Sequence, residues 1–456
     1  MDSKSIMSYK FSKEELKKLL VNHNEIALKG LNLPKKVFIW DETLRDGEQS
    51  PTVTLTLDEK IHLVKLMDDI GVNMIAVGFP AVSETEQKIV KTIVDEGTEN
   101  ASIVGVARTK KEDIDTCIEA NLEEIVLFMP ISPIFMKTLN LTEKDELQQI
   151  SSAIHYAKDN GFRVNWVSED GSRADLDHLK NVFKTAINAG AERIVLGDTV
   201  GILTPQSTSY LIREIREDVI KPLKKKIPMG IHTHNDFGLA VANTITGVFE
   251  GCEFPHTCIN GYGERAGNAA LEEVSTILER MGISTGIKLN KLPELSKTCE
   301  KYFCMPISQY KPIVGEYAFS HESGLHIAAI LAHPLTYEPI NPKMVGRKRK
   351  FYIGKFSGSS SIMYALKERL KVLDLECIPD DIIKEIVFQV KKANELKSKE
   401  EIKKSFQIIK DELKKITRGF SDTDFFKIAK KYALPYVPKE FKFKPEKIKQ
   451  MQKTDD

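Results

Sequence analysis

The sequence predicts an α/β protein built on a closed (β/α)8 TIM barrel, followed by a mostly helical C-terminal subdomain region. Short apolar segments alternate with longer amphipathic ones from Val37 to Gly282, which is typical of parallel strands joined by helical crossovers. Eight such repeats in about 245 residues favour a closed barrel over an open sheet. No GxGxxG motif follows the first apolar segment, which argues against a dinucleotide-binding fold.

The predicted strands are short and rich in aliphatic residues. In chain order they are Val37–Trp40, Met74–Val77, Ser102–Val106, Ile125–Phe128, Val164–Val167, Ile194–Leu196, Met229–His232 and Thr257–Ile259. The helical segments between them include Leu57–Ile70, Glu84–Glu96, Lys144–Asn160 and Thr204–Val219.

Local sequence signals mark several helix ends. Thr204 followed by Pro205 predicts an N-cap and a first helical residue. Glycines are the usual residues just beyond a helix C-terminus. Four of them predict helix ends: Gly71, Gly97, Gly161 and Gly190.

Composition places the chain among ordinary globular enzymes. Of 456 residues, 41% are hydrophobic and 29% charged, with a net charge of +1, which indicates neither nucleic-acid nor membrane binding. No apolar run approaches the roughly 18 residues that span a bilayer, and the polar N-terminus lacks a signal-peptide core. The six cysteines show no CxxC spacing, so we expect reduced thiols and a cytoplasmic location.

We expect four regions along the chain. Residues 1–35 form an N-terminal extension and residues 36–283 the catalytic barrel. Residues 284–375 form a linker and subdomain, and residues 376–456 a helical C-terminal region. The lysines between residues 380 and 416 have helical periodicity, which indicates a solvated helix face rather than a binding patch.

Two predicted strands end in residues that can bind a metal ion. The first is followed by Asp46, and the seventh runs into His232 and His234. Residues i and i+2 of a strand point to the same face, so both imidazoles can face the barrel mouth. Two imidazoles and a carboxylate leave coordination positions open for a substrate carbonyl. The sequence therefore predicts a divalent-metal site where barrel enzymes place their active sites.

Other polar residues follow the strands at the same end. Arg45 precedes the metal carboxylate, where a fixed cation can stabilise a developing oxyanion. Glu169 follows the fifth strand, and Thr199 follows the sixth, where its hydroxyl can hold a substrate carboxylate. The glycine-rich run at residues 261–268 lets backbone NH groups face an anionic or carbonyl-rich ligand.

Several motifs occur together in one order along the chain. They are LRDGEQ at 44–49, SED at 168–170, GDTVG at 197–201, HTHND at 232–236, GYGERAGNA at 261–269, GEYAFSHESGLH at 315–326, PLTYE at 334–338 and GKFSG at 354–358. In this respect residues 36–365 resemble the metal-dependent, Claisen-condensing acyltransferases that include 2-isopropylmalate, homocitrate, citramalate and Re-specific citrate synthases. The resemblance implies that acetyl-CoA condenses with a 2-oxo acid and that the thioester is then hydrolysed.

The resemblance also implies a metal site and an acceptor site. Asp46, His232 and His234 would hold the cation with Asn268 close by, and Mn²⁺ or Co²⁺ is expected ahead of Mg²⁺ or Zn²⁺. The 2-oxo acid would bind through its keto oxygen and its carboxylate. Thr199 would hold that carboxylate.

The remaining roles follow from the same resemblance. Gln49 would lie close to the bound acid, and Arg45 and Glu169 would line the reaction centre. His326 and Tyr337 would act as acid–base residues delivered by the partner subunit of a domain-swapped homodimer.

The acceptor is predicted from the departures of this chain from its relatives. Phe135 stands where isopropylmalate synthases usually have a histidine, and Val167 where relatives often have a serine. No regulatory domain is visible after Lys371, and the N-terminal extension resembles that of Re-specific citrate synthases. We therefore expect oxaloacetate as acceptor, with homocitrate synthase and then 2-isopropylmalate synthase as the alternatives. The cations available for the second carboxylate of oxaloacetate are Arg108, Lys137, Arg163 and Arg173.

Two other classes of function are less consistent with the motifs. A metal-dependent lyase of the same superfamily would not need the GLH and TYE segments beyond the barrel, and both are present. A catalytically idle homologue would have lost at least one polar residue of the barrel mouth, and none is lost.

Overall fold

Eight parallel strands close into a barrel in which neighbours along the chain are neighbours in space, and the eighth strand pairs with the first. The coordinates are a computed structural model that describes residues 10–223, 225–371, 375, 377–395, 399–416, 425, 428–429 and 431–433. The predicted (β/α)8 barrel and the helical C-terminal region are both confirmed.

The strands are short. Those of the barrel are β1 Trp40–Asp41, β2 Met74–Gly78, β3 Ser102–Arg108, β4 Glu124–Pro130, β5 Arg163–Glu169, β6 Arg193–Asp198, β7 Met229–Thr233 and β8 Phe254–Thr257. Two further strands, β9 Ser320–His321 and β10 Lys350–Phe351, form a separate parallel pair.

Helices surround the barrel and continue beyond it. The N-terminal ones are α1 Lys13–Leu19 and α2 His23–Ala27. Those of the barrel are α3 Leu57–Ile70, α4 Glu84–Glu96, α5 Lys111–Glu119, α6 Pro133–Leu139, α7 Glu143–Asp159, α8 Leu176–Ala189, α9 Pro205–Ile215, α10 Ala240–Phe249 and α11 Leu271–Arg280. The later ones are α12 Leu292–Phe303, α13 Gly324–Ala332, α14 Ser359–Glu368, α15 Asp380–Glu395 and α16 Lys399–Ile416.

Each predicted strand overlaps an observed one, but the eighth begins earlier than expected. The segment expected at 257–259 is β8, which starts at Phe254 and includes Pro255 and His256. Proline is uncommon inside sheets because it has no backbone NH to donate to the neighbouring strand. The sequence therefore predicted a strand that begins after Pro255. The consequence is that a histidine, His256, lies within the barrel wall.

The helix ends agree with their sequence signals. Thr204 caps α9 and forms a capping box with Ser207, and Pro205 is the first helical residue. Gly71 and Gly190 end α3 and α8 in the left-handed conformation, with φ of 100° and 111°. A side chain at such a position would be strained, which explains why glycine occupies both.

The lower part of the barrel interior is apolar. Its buried residues are Trp40, Met74, Val104, Val106, Val126 and Phe254, and the partly buried Phe38, Phe128 and Val167 pack against them. These side chains close the barrel from below, so its open space lies at the carboxyl ends of the strands.

The chain divides into two compact units. One comprises residues 1–50 and 55–396 and contains the barrel with α12–α15; the other comprises residues 51–54 and 397–456 and contains α16. The boundaries expected at residues 35, 283 and 375 are finer than this division and remain predictions. No helix in the described ranges is long and apolar enough to cross a lipid bilayer.

We predict that Thr204→Ala will destabilise the protein by about 1 kcal/mol, because it removes the side-chain oxygen that accepts from the Ser207 NH. Thermal and urea unfolding of the purified variant measure the effect. Thr204→Ser keeps the acceptor and serves as the control. Equal stability of the alanine and serine variants would show that the cap contributes nothing.

Candidate active site

Three potential metal ligands converge at the carboxyl ends of β1 and β7. Asp46 lies in the turn after β1, His232 lies in β7, and His234 follows it. Oδ2 of Asp46 is 3.2 Å from Nε2 of His232 and 3.6 Å from Nε2 of His234, and the two Nε2 atoms are 3.2 Å apart. All three residues are buried, so the residues predicted as ligands do come together.

The ionisation states of these groups suit a divalent cation. Burial, reinforced by His232, lowers the pKa of His234 to about 4, so its ring is neutral near pH 7. Burial opposes ionisation of Asp46, but Arg45 and the two imidazoles outweigh it and hold the pKa of that carboxyl well below its usual range. An ionised carboxylate and a neutral imidazole are the forms that bind metals.

Asn268 extends this donor set. An isolated antiparallel β-bridge pairs Asn268 with His234. The side-chain Oδ1 of Asn268 is buried and has no hydrogen-bond partner. Its Nδ2 donates to Sγ of Cys258 at 3.3 Å, which fixes the orientation of the amide. An unpartnered buried oxygen beside two imidazoles and a carboxylate fits a cation or its bound water.

A second group of possible ligands shares one histidine with the first. Glu42, His232 and His256 also bring ligand atoms within 4.8 Å of one another. Two dications together with Arg45 would bring five positive charges beside the carboxylates of Glu42 and Asp46, with Glu169 as the further carboxylate that lines the cavity. Unit charges 4 Å apart interact by about 4 kcal/mol even at an effective dielectric constant of about 20. This excess of positive charge favours a single cation, held by Asp46, His232 and His234.

Glu42 instead holds Arg45. Nε of Arg45 donates to Oε2 of Glu42 at 2.7 Å, and Nη1 lies 3.2 Å from Oδ2 of Asp46. Nδ1 of His256 is 3.1 Å from the other oxygen of Glu42. Burial opposes ionisation, yet Arg45 and His256 together lower the pKa of Glu42 to about 2. The guanidinium of Arg45 is therefore fixed beside the metal ligands before any substrate binds.

A cavity of about 270 Å³ opens above these residues. Its polar walls contain most of the barrel residues expected at the site: Arg45, Asp46, Gln49, Glu169, Thr199, His232 and His234. Its apolar walls comprise Phe79, Val106, Val126, Phe128 and Val167. The cavity thus has a charged part at the metal ligands and an apolar part formed by β3, β4, β5 and the end of β2.

Thr199 is oriented by a hydrogen bond to its side chain. The backbone NH of Asp170 donates to Oγ1 of Thr199 at 2.8 Å. Asp170 is itself fixed by Ser132, whose hydroxyl donates to its carboxylate, and by an ion pair with Arg173. Because Oγ1 of Thr199 accepts from Asp170, its own proton is available for a ligand carboxylate.

Glu169 lies in the same cavity and has a perturbed pKa. Burial, and then the neighbouring Asp170, raise the pKa of Glu169 above its usual value, and Arg45 acts in the opposite direction. A carboxyl group with a raised pKa beside a reaction centre can exchange protons closer to neutral pH.

His326 and Tyr337 lie apart from this cavity. His326 is in α13 and Tyr337 follows it, and their rings stack with centroids 3.9 Å apart. Neither residue lines the cavity of its own chain. Tyr337 is 42% exposed, so the pair is accessible to another molecule.

Several cavity residues were missed by sequence reasoning. Phe79, Phe128 and His256 line the cavity, and so do Glu264 and Arg265, which the motif at 261–269 includes without a role of their own. The aromatic residues could not be distinguished from core residues of the barrel. The alternation of Phe254 and His256 was the available signal for β8, but Pro255 interrupts the apolar run.

The structure does not bring the cations proposed to meet a second acceptor carboxylate into the cavity lining, although the guanidinium of Arg108 lies 5.7 Å from the ring centroid of Phe79 at its edge. Arg108 pairs with Asp113 at 2.6 Å. Arg163 is the first residue of β5, at the opposite end of the barrel from the cavity. Arg173 belongs to the Asp170 ion pair described above. Arg108, Lys137, Arg163 and Arg173 are all absent from the residues that line the cavity.

Comparison with known proteins identifies the family. A family model described as HMGL-like matches residues 36–299, and one described as homocitrate synthase post-HMGL domain-like matches residues 313–398. The 2-isopropylmalate synthase of Methanocaldococcus jannaschii is 44% identical over 81% of this chain and 70% of its own length. The homocitrate synthase AksA of Methanothermobacter thermautotrophicus is 41% identical over 80% of this chain and 91% of its own.

Solved structures agree on the fold. Hydroxymethylglutaryl-CoA lyase from Pseudomonas aeruginosa superposes with a TM-score of 0.53 at 23% identity, covering 59% of this chain and 94% of that chain. At this identity the similarity shows the barrel fold alone. Because the family match spans residues 36–299 and the two synthases exceed 40% identity, the chain belongs to the HMGL-like family and is an enzyme of its Claisen-condensing acyltransferase group.

Proposed function

We propose that the protein condenses acetyl-CoA with 2-oxoisovalerate, a 2-oxo acid with an apolar branched substituent, and releases 2-isopropylmalate and CoA. The observation that carries this proposal is the apolar part of the cavity, formed by Phe79, Val106, Val126, Phe128 and Val167. A 2-oxo acid whose carboxylate and keto group face Thr199 and the metal ligands directs its substituent toward these side chains.

The free energies of burying apolar and charged groups favour an acceptor with an apolar substituent. Each buried CH₂ or CH₃ contributes about 0.8 kcal/mol, so an isopropyl group gains a few kcal/mol in this part of the cavity. An unpaired carboxylate placed there would lose several kcal/mol of hydration without compensation. Oxaloacetate and 2-oxoglutarate both carry such a carboxylate.

The acceptor proposed here is an alternative to the one first expected from the sequence. Oxaloacetate was expected because of Phe135, Val167 and the N-terminal extension. The two relatives described above are named after isopropylmalate and homocitrate, and their names give citrate formation no support. Homocitrate formation is disfavoured for the same reason as citrate formation, because the apolar wall of the cavity offers no charged partner for a second carboxylate.

The metal role is proposed from the donor set. Asp46, His232 and His234 would hold a divalent cation, Mn²⁺ or Co²⁺, with Asn268 beside it. When bound, the cation supplies Lewis acidity that polarises the keto group of the acceptor. The ionised Asp46, the neutral His234 and the unpartnered Oδ1 of Asn268 support this assignment.

The protein residues then have separable roles. The hydroxyl of Thr199 donates to the acceptor carboxylate, because its oxygen already accepts from Asp170. Arg45 faces the oxygen that becomes negatively charged during carbon–carbon bond formation. Because Glu42 fixes the guanidinium in advance, stabilising that charge needs little rearrangement. Glu169 and Gln49 complete the polar wall around the reacting groups.

We further propose that His326 and Tyr337 reach the cavity of a partner subunit in a homodimer. One of them removes a proton from the acetyl methyl group, the resulting enolate attacks the keto carbon, and a proton returned to the keto oxygen gives the hydroxyl group of the product. Water then hydrolyses the thioester and releases CoA. The stacked and accessible pair outside its own cavity supports this arrangement.

We predict that His232→Ala will lose both tight Mn²⁺ binding and condensation activity, because one of three buried ligands is gone. Metal content of dialysed protein and the release of free CoA measure the two properties. His155→Ala, on the exposed face of α7, is the control and should retain both. Normal turnover and metal content in His232→Ala would contradict the site.

We predict that kcat/KM will be highest with 2-oxoisovalerate when CoA release is compared among 2-oxoisovalerate, pyruvate, oxaloacetate and 2-oxoglutarate in the presence of Mn²⁺. Each missing methylene costs roughly 10- to 200-fold in an apolar pocket, so pyruvate should be at least about 100-fold poorer. A higher kcat/KM with oxaloacetate would restore citrate formation, and one with 2-oxoglutarate would establish homocitrate formation.

We predict that a heterodimer of Asp46→Asn and His326→Ala chains will regain activity that neither variant has alone. If His326 of one subunit acts in the cavity of the other, one of the two sites of the heterodimer has both an intact Asp46 and an intact His326. Activity should therefore be about half that of the wild type. Differently tagged chains, co-expressed and purified through both tags, allow the measurement. An inactive heterodimer would place His326 outside the partner's site.

A further inference from the structure

Arg265 has an unusual backbone conformation at the mouth of the cavity. Its φ is +56°, in the left-handed region that residues with a long side chain rarely occupy. It is exposed and lines the cavity. Strain of this kind persists only where surrounding contacts hold it, and it is concentrated at functional sites.

Its contacts join the loops that follow three neighbouring strands. Nε and Nη2 of Arg265 donate to the two carboxylate oxygens of Asp236 at 2.9 and 2.8 Å, and Nη2 also donates to the carbonyl oxygen of Thr199 at 2.5 Å. Arg265 follows β8, Asp236 follows β7 and Thr199 follows β6. A single guanidinium therefore connects the ends of all three strands.

The packing around this connection leaves little room for adjustment. A Cβ on Gly201, which has a φ of +60°, would lie 2.7 Å from Oδ2 and 2.8 Å from the backbone nitrogen of Asp236. A Cβ on Gly267 would lie 2.0 Å from the carbonyl oxygen of Gly261. The loops after β6 and β7 are thus in close contact, the loop after β8 is tightly turned on itself, and Asp236 lies where Arg265 reaches it.

Thr199 is held from two sides as a result. The NH of Asp170 donates to its side-chain oxygen, and Arg265 donates to its backbone carbonyl. Asp170 is also left-handed, with a φ of 55°. Two strained residues from different loops therefore fix the side chain and the main chain of one threonine.

We infer that Arg265 is a positioning residue for the carboxylate of the acceptor: through Asp236 and the carbonyl of Thr199, it sets the direction in which the Thr199 hydroxyl points. The inference rests on the proposed function, in which Thr199 binds that carboxylate. It assigns Arg265 to binding of the 2-oxo acid and not to binding of acetyl-CoA.

Arg265→Gly is the variant that tests it. Glycine adopts a positive φ freely, so the loop can keep its conformation while the guanidinium is removed. We expect the dissociation constant for the 2-oxo acid to rise about tenfold, the size expected when one hydrogen bond that positions a charged ligand is lost. The KM for acetyl-CoA should change less than about twofold, and Arg265→Lys should recover part of the affinity.

The measurement is calorimetric titration of the Mn²⁺-loaded full-length protein with 2-oxoisovalerate and with pyruvate, which carries the same 2-oxo carboxylate. Asp236→Asn, which removes the charge of the partner, should weaken binding in the same direction. Arg163→Gln, which removes an ion pair with Glu124 at the opposite end of the barrel, is the control and should leave binding unchanged.

A double-variant cycle separates positioning from a general structural effect. Thr199→Val removes the hydroxyl, so Arg265→Gly should weaken binding little further in that background. Independent, additive losses would overturn the inference, as would a rise confined to the KM for acetyl-CoA. If Thr199→Val itself leaves acceptor binding unchanged, the assignment of Thr199 in the proposed function fails. If only Arg265→Gly is silent, the inference about Arg265 fails alone.

Discussion

The carboxylate of Asp46 is the interaction on which the rest of the site depends. Its Oδ2 atom lies 3.2 Å from Nη1 of Arg45 and within 3.6 Å of Nε2 of both His232 and His234. Among the proposed metal ligands, Asp46 is the one that carries a negative charge. Closure of the barrel makes this possible, because β1 pairs with β8 and β8 with β7. Without that charge, Glu42 would be left as the partner of Arg45, and the two buried imidazoles would have no carboxylate beside them where the proposed cation binds.

The polar and the apolar lining residues occupy different parts of the same cavity. In the proposed function, residues after the strand ends, such as Arg45 and Thr199, act on the 2-oxo acid group that the candidate acceptors share. Side chains deeper in the barrel, such as Phe128 and Val167, would contact the group that distinguishes one acid from another. Substitutions among the deeper residues can therefore change the acceptor while the reaction is retained. Two relatives that are each more than 40% identical to this chain are named after different products, isopropylmalate and homocitrate, which is consistent with this separation.

The sequence was sufficient for the barrel, its helix caps and the convergence of Asp46, His232 and His234, because these follow from local periodicity and from one i, i+2 pair at a strand end. Within the apolar wall, Val167 was singled out by its departure from relatives, whereas Phe79 and Phe128 look like any other core residues of a barrel. Arg108 and Arg173 looked available for a substrate because their partners, Asp113 and Asp170, become visible only once the backbone turns are known. No sequence pattern predicts the left-handed backbone conformation of Arg265.

That strain is informative because of its location. A left-handed conformation costs roughly 1–2 kcal/mol for a residue with a side chain, although aspartate tolerates it better than arginine. Asp170 and Arg265 both adopt it, they belong to loops from opposite sides of β6 and β7, and both donate a hydrogen bond to Thr199. Two independent distortions that meet on one threonine are hard to explain by packing alone. They are expected if the direction of its hydroxyl decides how the acceptor is held against the metal ligands.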